Sequence, residues 1–174
     1  MTSDDPVPSW AGDRCAECGF EYHLEQAESS GEAIVAATLD LAGRLVSGEV
    51  ARRRSASVWS PLEYACHLRD VLLVQRERVL AARQMDRPSS NPMGRDERVE
   101  HEGYAEQDVG DVRRQLLDAA HLFANVLSRL DPAAWERTVM YNYPRALERS
   151  LRWVAVHTLH EVTHHSLDIR RQLD

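Results

Sequence analysis

The 174-residue chain has three cysteines, two phenylalanines and no long apolar run, and each shortage narrows what it can be. Three cysteines cannot build a disulfide framework. Two of them stand as Cys15-Ala-Glu-Cys18, a usage that favours metal or redox chemistry in a reducing compartment. No segment approaches the ~18 consecutive apolar residues of a membrane span. The opening Met-Thr-Ser-Asp-Asp-Pro has neither the basic nor the apolar stretch of a secretory signal, so a cytoplasmic protein with no membrane partner is expected. Positive charge is also short. With 21 Lys and Arg against 28 Asp and Glu the formal charge is -7, which leaves no basic field for phosphate backbones and sets nucleic acid aside as a partner. Period-two alternation is nearly missing, so a sheet is not expected.

What is present reads as helix. The length suits one core-forming domain, here residues 30–174, preceded by an irregular arm over residues 1–29. A first helix is expected from about Gly31 to Arg53, with Val35, Leu39, Ala42, Leu45 and Val46 at helical spacing. The second has a marked start: Ser60 as cap, Pro61 at the first helical position and Glu63 closing a capping box, with an end near Met85. Pro88, Asn91-Pro92 and Gly94 make 87–107 a long loop. A third helix starts near Asp108 and carries Val112, Leu116, Ala120, Phe123, Leu127 and Leu130 on a 3-4 rhythm. After Asp131-Pro132 comes a short turn at Trp135, a loop through Tyr141-Asn-Tyr-Pro144, and a last helix from about Leu147 to Leu173.

The last helix carries the strongest chemical signal. His157-Thr-Leu-His160-Glu161-Val-Thr-His164-His165-Ser-Leu-Asp168 packs four of the eight histidines into nine residues. Glu161 and His165 share one line of the helix, and His160 and His164 share another about 100° away. Either i, i+4 pair can grip one ion. A solvated histidine-rich face is the plain alternative, but Val154, Val162, Leu167 and Ile169 spread apolar residues round much of the helix. His160-Glu161-x-x-His164 also matches the zinc metalloprotease signature, in a short helical chain that is the wrong context for a protease. On the second helix, His67 shares a stripe with Val71 and Val74 and so points inward.

Trp59-Ser60-x-x-Glu63-x-x-x-His67, followed by Asp70, together with the last helix, resembles the DinB/YfiT-like metalloproteins over roughly residues 30–174. The resemblance implies an all-α, up-up-down-down four-helix bundle. It also implies a zinc or nickel site with one histidine from the second helix and an i, i+4 pair from the last. His160 and His164 match the common form of that pair. Glu161, His165 and Asp168 are instead similar to mycothiol-dependent maleylpyruvate isomerases, and the placement of Asp168 three residues after His165 favours His67, Glu161 and His165; Asp168 itself reads equally as a group orienting a ligand histidine or as surface charge. The family has no cysteine arm. Cys15-x-x-Cys18-Gly19 has the shape of a zinc knuckle, and two thiolates need partners to close a tetrahedral structural site. His160 and His164 are free to supply them if Glu161 and His165 serve the bundle site; His23 and His157 are further candidates, and free thiols on the arm are the alternative. Cys66 is expected to be a small buried residue.

Three protein ligands leave positions open, the arrangement of a catalytic metal. Enzymes this chain resembles activate a low-molecular-weight thiol of the mycothiol or bacillithiol type for S-transfer or isomerisation. The expected partners are therefore a small-molecule thiol and an electrophilic substrate. A metal-dependent hydrolase and a non-catalytic, stress-response metal-binding protein are the alternatives, and a homodimer stays open. Arg95 and Arg98 could offer guanidinium groups to a substrate carboxylate, but an ordinary solvated loop is the favoured reading of that stretch.

Overall fold

The computed structural model describes residues 14–46 and 48–173. Four long helices form the frame: α1 (Ser30–Arg44), α2 (Pro61–Gln84), α4 (Val109–Leu127) and α6 (Leu151–Leu173). Two short helices, α3 (Arg95–His101) and α5 (Pro132–Trp135), lie between them. α4 packs on both α1 and α2, and α6 packs on the same two. The cyclic order is thus α1, α4, α2, α6, with α1 and α2 facing across the diagonal, as expected of the up-up-down-down bundle. Phe123, Ile34, Leu41, Leu62, Leu68, Leu72 and Leu116 fill the centre.

α2 begins as its sequence dictates. The Ser60 hydroxyl accepts from the Glu63 amide (3.2 Å), and Glu63 Oε2 accepts from the Ser60 amide (2.8 Å). Two of the orphan N–H groups at the helix start are thereby satisfied, with Pro61 supplying a residue that has none to satisfy. Arg53 also grips the Glu63 carboxylate, which lies 1% exposed. This ion pair ties the α1–α2 connection to the start of α2.

Five expectations are corrected. α1 stops at Arg44 rather than Arg53, and its buried stripe is Ile34, Thr38, Leu41 and Leu45. Leu39 and Val46, expected in the core, are 61% and 70% exposed. A three-stranded sheet is present where a loop and the start of the last helix were expected: β1 (Ser89–Ser90), β2 (Thr138–Asn142) and β3 (Ala146–Ser150). β1 pairs parallel to β2, and β2 pairs antiparallel to β3 with Met140 opposite Glu148. β2 turns Val139 and Tyr141 inward, while polar β3 covers its other edge. α6 consequently starts at Leu151. The 87–107 segment is also not wholly loop, because α3 forms inside it after Gly94, whose φ of +67° suits glycine. Among the described residues no helix is long and apolar enough to cross a membrane.

Candidate metal centre

His67 sits two turns into α2, where the capped start fixes its height in the bundle. It is 4% exposed, walled by Trp59 at a ring distance of 5.3 Å, and meets His165 of α6 edge to face at 5.0 Å. One donor atom each from His67, Glu161 and His165 lies within 4.8 Å of the others. The second helix and the last therefore do bring these three together. His165 Nε2 is 3.7 Å from Glu161 Oε2, and its Nδ1 is 2.9 Å from Asp168 Oδ2. Asp168 thus takes the proton-bearing nitrogen of His165 and leaves the other ring nitrogen facing Glu161. A carboxylate behind a histidine in this way fixes tautomer and ring orientation for a ligand.

The second pair on α6 turns elsewhere. His160 and His164 converge with Cys15 and Cys18, again with donor atoms within 4.8 Å of one another, so they meet the arm rather than His67. His23 is exposed and paired with Glu21 at 3.1 Å, away from this group. His157 is buried in an aromatic nest. It stacks on Trp153 at 4.4 Å, meets Tyr141 at 5.6 Å, and shares a 2.9 Å hydrogen bond with the Tyr22 hydroxyl. His121 is exposed on α4. Cys66 is a buried core residue whose thiol burial pushes up to about 12.

The electrostatics of the bundle cluster are unbalanced. Glu161 is largely buried, and the partners in ion-pair range are histidines: His157 (3.8 Å), His160 (3.6 Å) and His165 (3.7 Å). Burial pushes His67 down to about 3, with His165 adding to it, and burial pushes His157 down to about 4. Both are neutral at pH 7. Burial works against the Glu161 carboxylate too, yet the surrounding imidazoles hold it well below the usual carboxylate range. Among the described residues, the buried His67 Nδ1 has no hydrogen-bond partner. A largely buried carboxylate beside the neutral imidazoles of His67 and His157, with an orphaned ring nitrogen next to it, fits a divalent cation, which supplies positive charge to these donors.

The cluster lines a cavity of about 810 Å³ that opens to solvent, together with Tyr64, Arg95 and Tyr143. Arg98, paired with Arg95 as a carboxylate binder at the sequence level, is committed instead. It donates to Asp70 (3.1 Å), Glu102 (3.2 Å) and the Met93 carbonyl (3.0 Å). Asp70 in turn accepts from Arg69 and from Tyr104 at 2.5 Å, so this part of the α2 signature locks the α3 region to the bundle. Tyr22 was missed in the sequence. Its hydroxyl joins His157 and His160 (2.8 Å to the latter), and the available signal was the alternation Phe20-Glu21-Tyr22 straight after the knuckle glycine.

Fold and clustered donors define a four-helix bundle with a nitrogen–oxygen donor site at the interface of its second and last long helices. Residues 32–169 match the family model of the DinB superfamily, and the chain belongs to that superfamily. The fold is similar to that of YfiT from Bacillus subtilis, described as a probable metal-dependent hydrolase with an unusual four-helix bundle topology. The TM-score is 0.73 and the identity 16%, over 85% of this chain and 86% of that one. No curated protein sequence matches the chain.

Proposed function

We propose that this protein holds a divalent metal, zinc first and nickel second, through His67, Glu161 and His165, and transfers a low-molecular-weight thiol of the mycothiol or bacillithiol type to an electrophile. The observation that carries the metal reading is the largely buried Glu161 carboxylate, whose ion-pair partners among the described residues are the imidazoles of His157, His160 and His165. A divalent ion there makes a nucleophile at neutral pH by acidifying a coordinated thiol or water. The chain's own residues do the rest. His67, kept neutral by burial, presents a lone pair without first losing a proton. Asp168 retains the Nδ1 proton of His165 and stops the ring from turning. Trp59 packs against His67 and shields that side of the cluster from water. Arg95 stands on the cavity wall where it can pair with an anionic group of either substrate. A cavity of about 810 Å³ has room for two small reactants, which favours transfer over water attack on one.

Hydrolysis is the second reading, favoured by the description of YfiT as a probable metal-dependent hydrolase. The zinc-loaded protein is to be given a chromogenic electrophile with and without added thiol, then ester and amide substrates alone. Consumption of the electrophile only with thiol, abolished by chelation and by His67→Ala, is expected. Thiol-independent turnover of an ester or amide supports hydrolysis, and no turnover in a metal-replete protein supports a non-catalytic role.

A further inference from the structure

The arm and the last helix build a second donor cluster that the proposed reaction does not use. Cys15 and Cys18 lie on a tight turn. The Gly19 amide donates to the Cys15 carbonyl (2.9 Å), the Cys15 amide to the Phe20 carbonyl (2.8 Å), and Gly19 takes a φ of +74° that a side chain would strain. Amides of this turn point at sulfur: those of Glu17 and Cys18 donate to Cys15 Sγ, and that of Phe20 donates to Cys18 Sγ. Such amide donors favour the thiolate form.

Both histidines are oriented for the same point. The Nδ1 of His160 is engaged by the Tyr22 hydroxyl at 2.8 Å, which leaves Nε2 buried and, among the described residues, without a hydrogen-bond partner, in a residue 1% exposed. His164 is arranged the other way round. Its Nε2 faces Glu17 (3.5 Å) and Asp168 (3.6 Å), and its Nδ1 lies 3.6 Å from Cys15 Sγ. In a tetrahedral zinc site with Zn–S of about 2.3 Å and Zn–N of about 2.05 Å, the sulfur-to-nitrogen edge is about 3.6 Å. The observed separation matches that edge, and the other donor pairs of the cluster lie within 4.8 Å. Each histidine therefore has one nitrogen on the cluster and the other on a hydroxyl or carboxylate, the arrangement that ligand histidines show.

We propose that Cys15, Cys18, His160 and His164 bind a structural zinc ion in a closed, four-coordinate site that fastens the N-terminal arm to α6. Four protein donors leave no position for water or substrate, so the ion's role is architectural. It joins residues 149 apart in sequence and seats Phe20 and Tyr22 against His160, the rings 5.4 and 5.3 Å away. It also sorts the donors of α6. With His160 and His164 held by the arm, Glu161 and His165 remain for the bundle, so two interleaved i, i+4 pairs on one helix serve two neighbouring ions. The arm site stands whether or not the bundle ion takes part in catalysis.

The test is metal content and cobalt spectroscopy on the intact chain. Zinc-loaded wild type should hold about two ions, and cobalt loading should produce a thiolate-to-metal charge-transfer band with the intense visible bands of a tetrahedral centre. The C15S/C18S double variant should lose that band and one ion. His67→Ala should lose the other ion and keep the band. Retention of both ions by C15S/C18S, or no thiolate band in cobalt-loaded wild type, overturns the arm site. If the double variant fails to fold, mercurial titration of folded wild type substitutes: release of about one zinc per chain is expected, and release of none overturns it. A thiolate band with no His67-dependent ion sinks the bundle reading and leaves this one intact.

Discussion

Asp168→Asn is the most discriminating single change at the bundle cluster. It keeps the shape of the side chain but removes the charge 2.9 Å behind His165 Nδ1, and the carboxamide has only one accepting oxygen. Loss of a carboxylate behind a ligand histidine weakens metal affinity by roughly 10–100-fold, which is about 1.4–2.7 kcal/mol. The arm ion should suffer less. His164 Nε2 is farther from Asp168, at 3.6 Å, and Glu17 stands equally close at 3.5 Å to take over. Competition titration against a chromophoric chelator, following the thiolate-bound and thiolate-free cobalt signals separately, measures both constants in one sample. The reasoning predicts a large loss at the thiolate-free ion and a small one at the thiolate-bound ion. Unchanged affinity at the bundle ion, or an equal fall at both, would refute it.

Acid should destabilise the chelated, metal-free protein well above the usual carboxylate range. His67 at about 3 and His157 at about 4 are held below the ordinary value of about 6.5 by burial, so the unfolded chain binds protons first. Their contribution is complete above pH 6.5 and is lost as pH falls toward 4, by about 2 kcal/mol per histidine between pH 6.5 and 5. Urea unfolding at pH 7 and pH 5 measures this; a flat profile contradicts it. Phe123→Ala, at a fully buried position in the bundle centre, should cost about 3–5 kcal/mol by the same assay. Gly31→Leu should cost about 1–3 kcal/mol, because a Cβ at Gly31 already lies 3.2 Å from the Ala124 Cα where α1 crosses α4; an unchanged midpoint would mean the helices can part freely.

The parts of this fold that were legible in the sequence are those written in local chemistry. Ser60, Pro61 and Glu63 mark the start of α2 because capping is satisfied within one turn. The α4 seam was legible because its apolar rhythm runs unbroken from Val112 to Leu130. α1 was misplaced because a threonine, Thr38, occupies its buried stripe while Leu39 and Val46 face solvent. The sheet went unseen since β2 offers only two inward residues, Val139 and Tyr141, and β3 reads Ala-Leu-Glu-Arg-Ser with no apolar alternation. Strand pairing between residues 89 and 140 is tertiary information that no local pattern carries. At the site, the histidine spacing on α6 offered two pairings without choosing between them. The choice depends on which partners the bundle delivers: His67 from α2 on one side, and the arm's cysteines, positioned through Tyr22, on the other.

Of the two donor pairs on α6, Glu161 and His165, rather than His160 and His164, are proposed to join His67 around a divalent ion. Anomalous diffraction at the zinc edge from crystals of the zinc-loaded protein tests it most directly. A peak within bonding distance of His67, Glu161 and His165 is expected. A peak bonded to His67 together with His160 and His164, or none at His67, would contradict it.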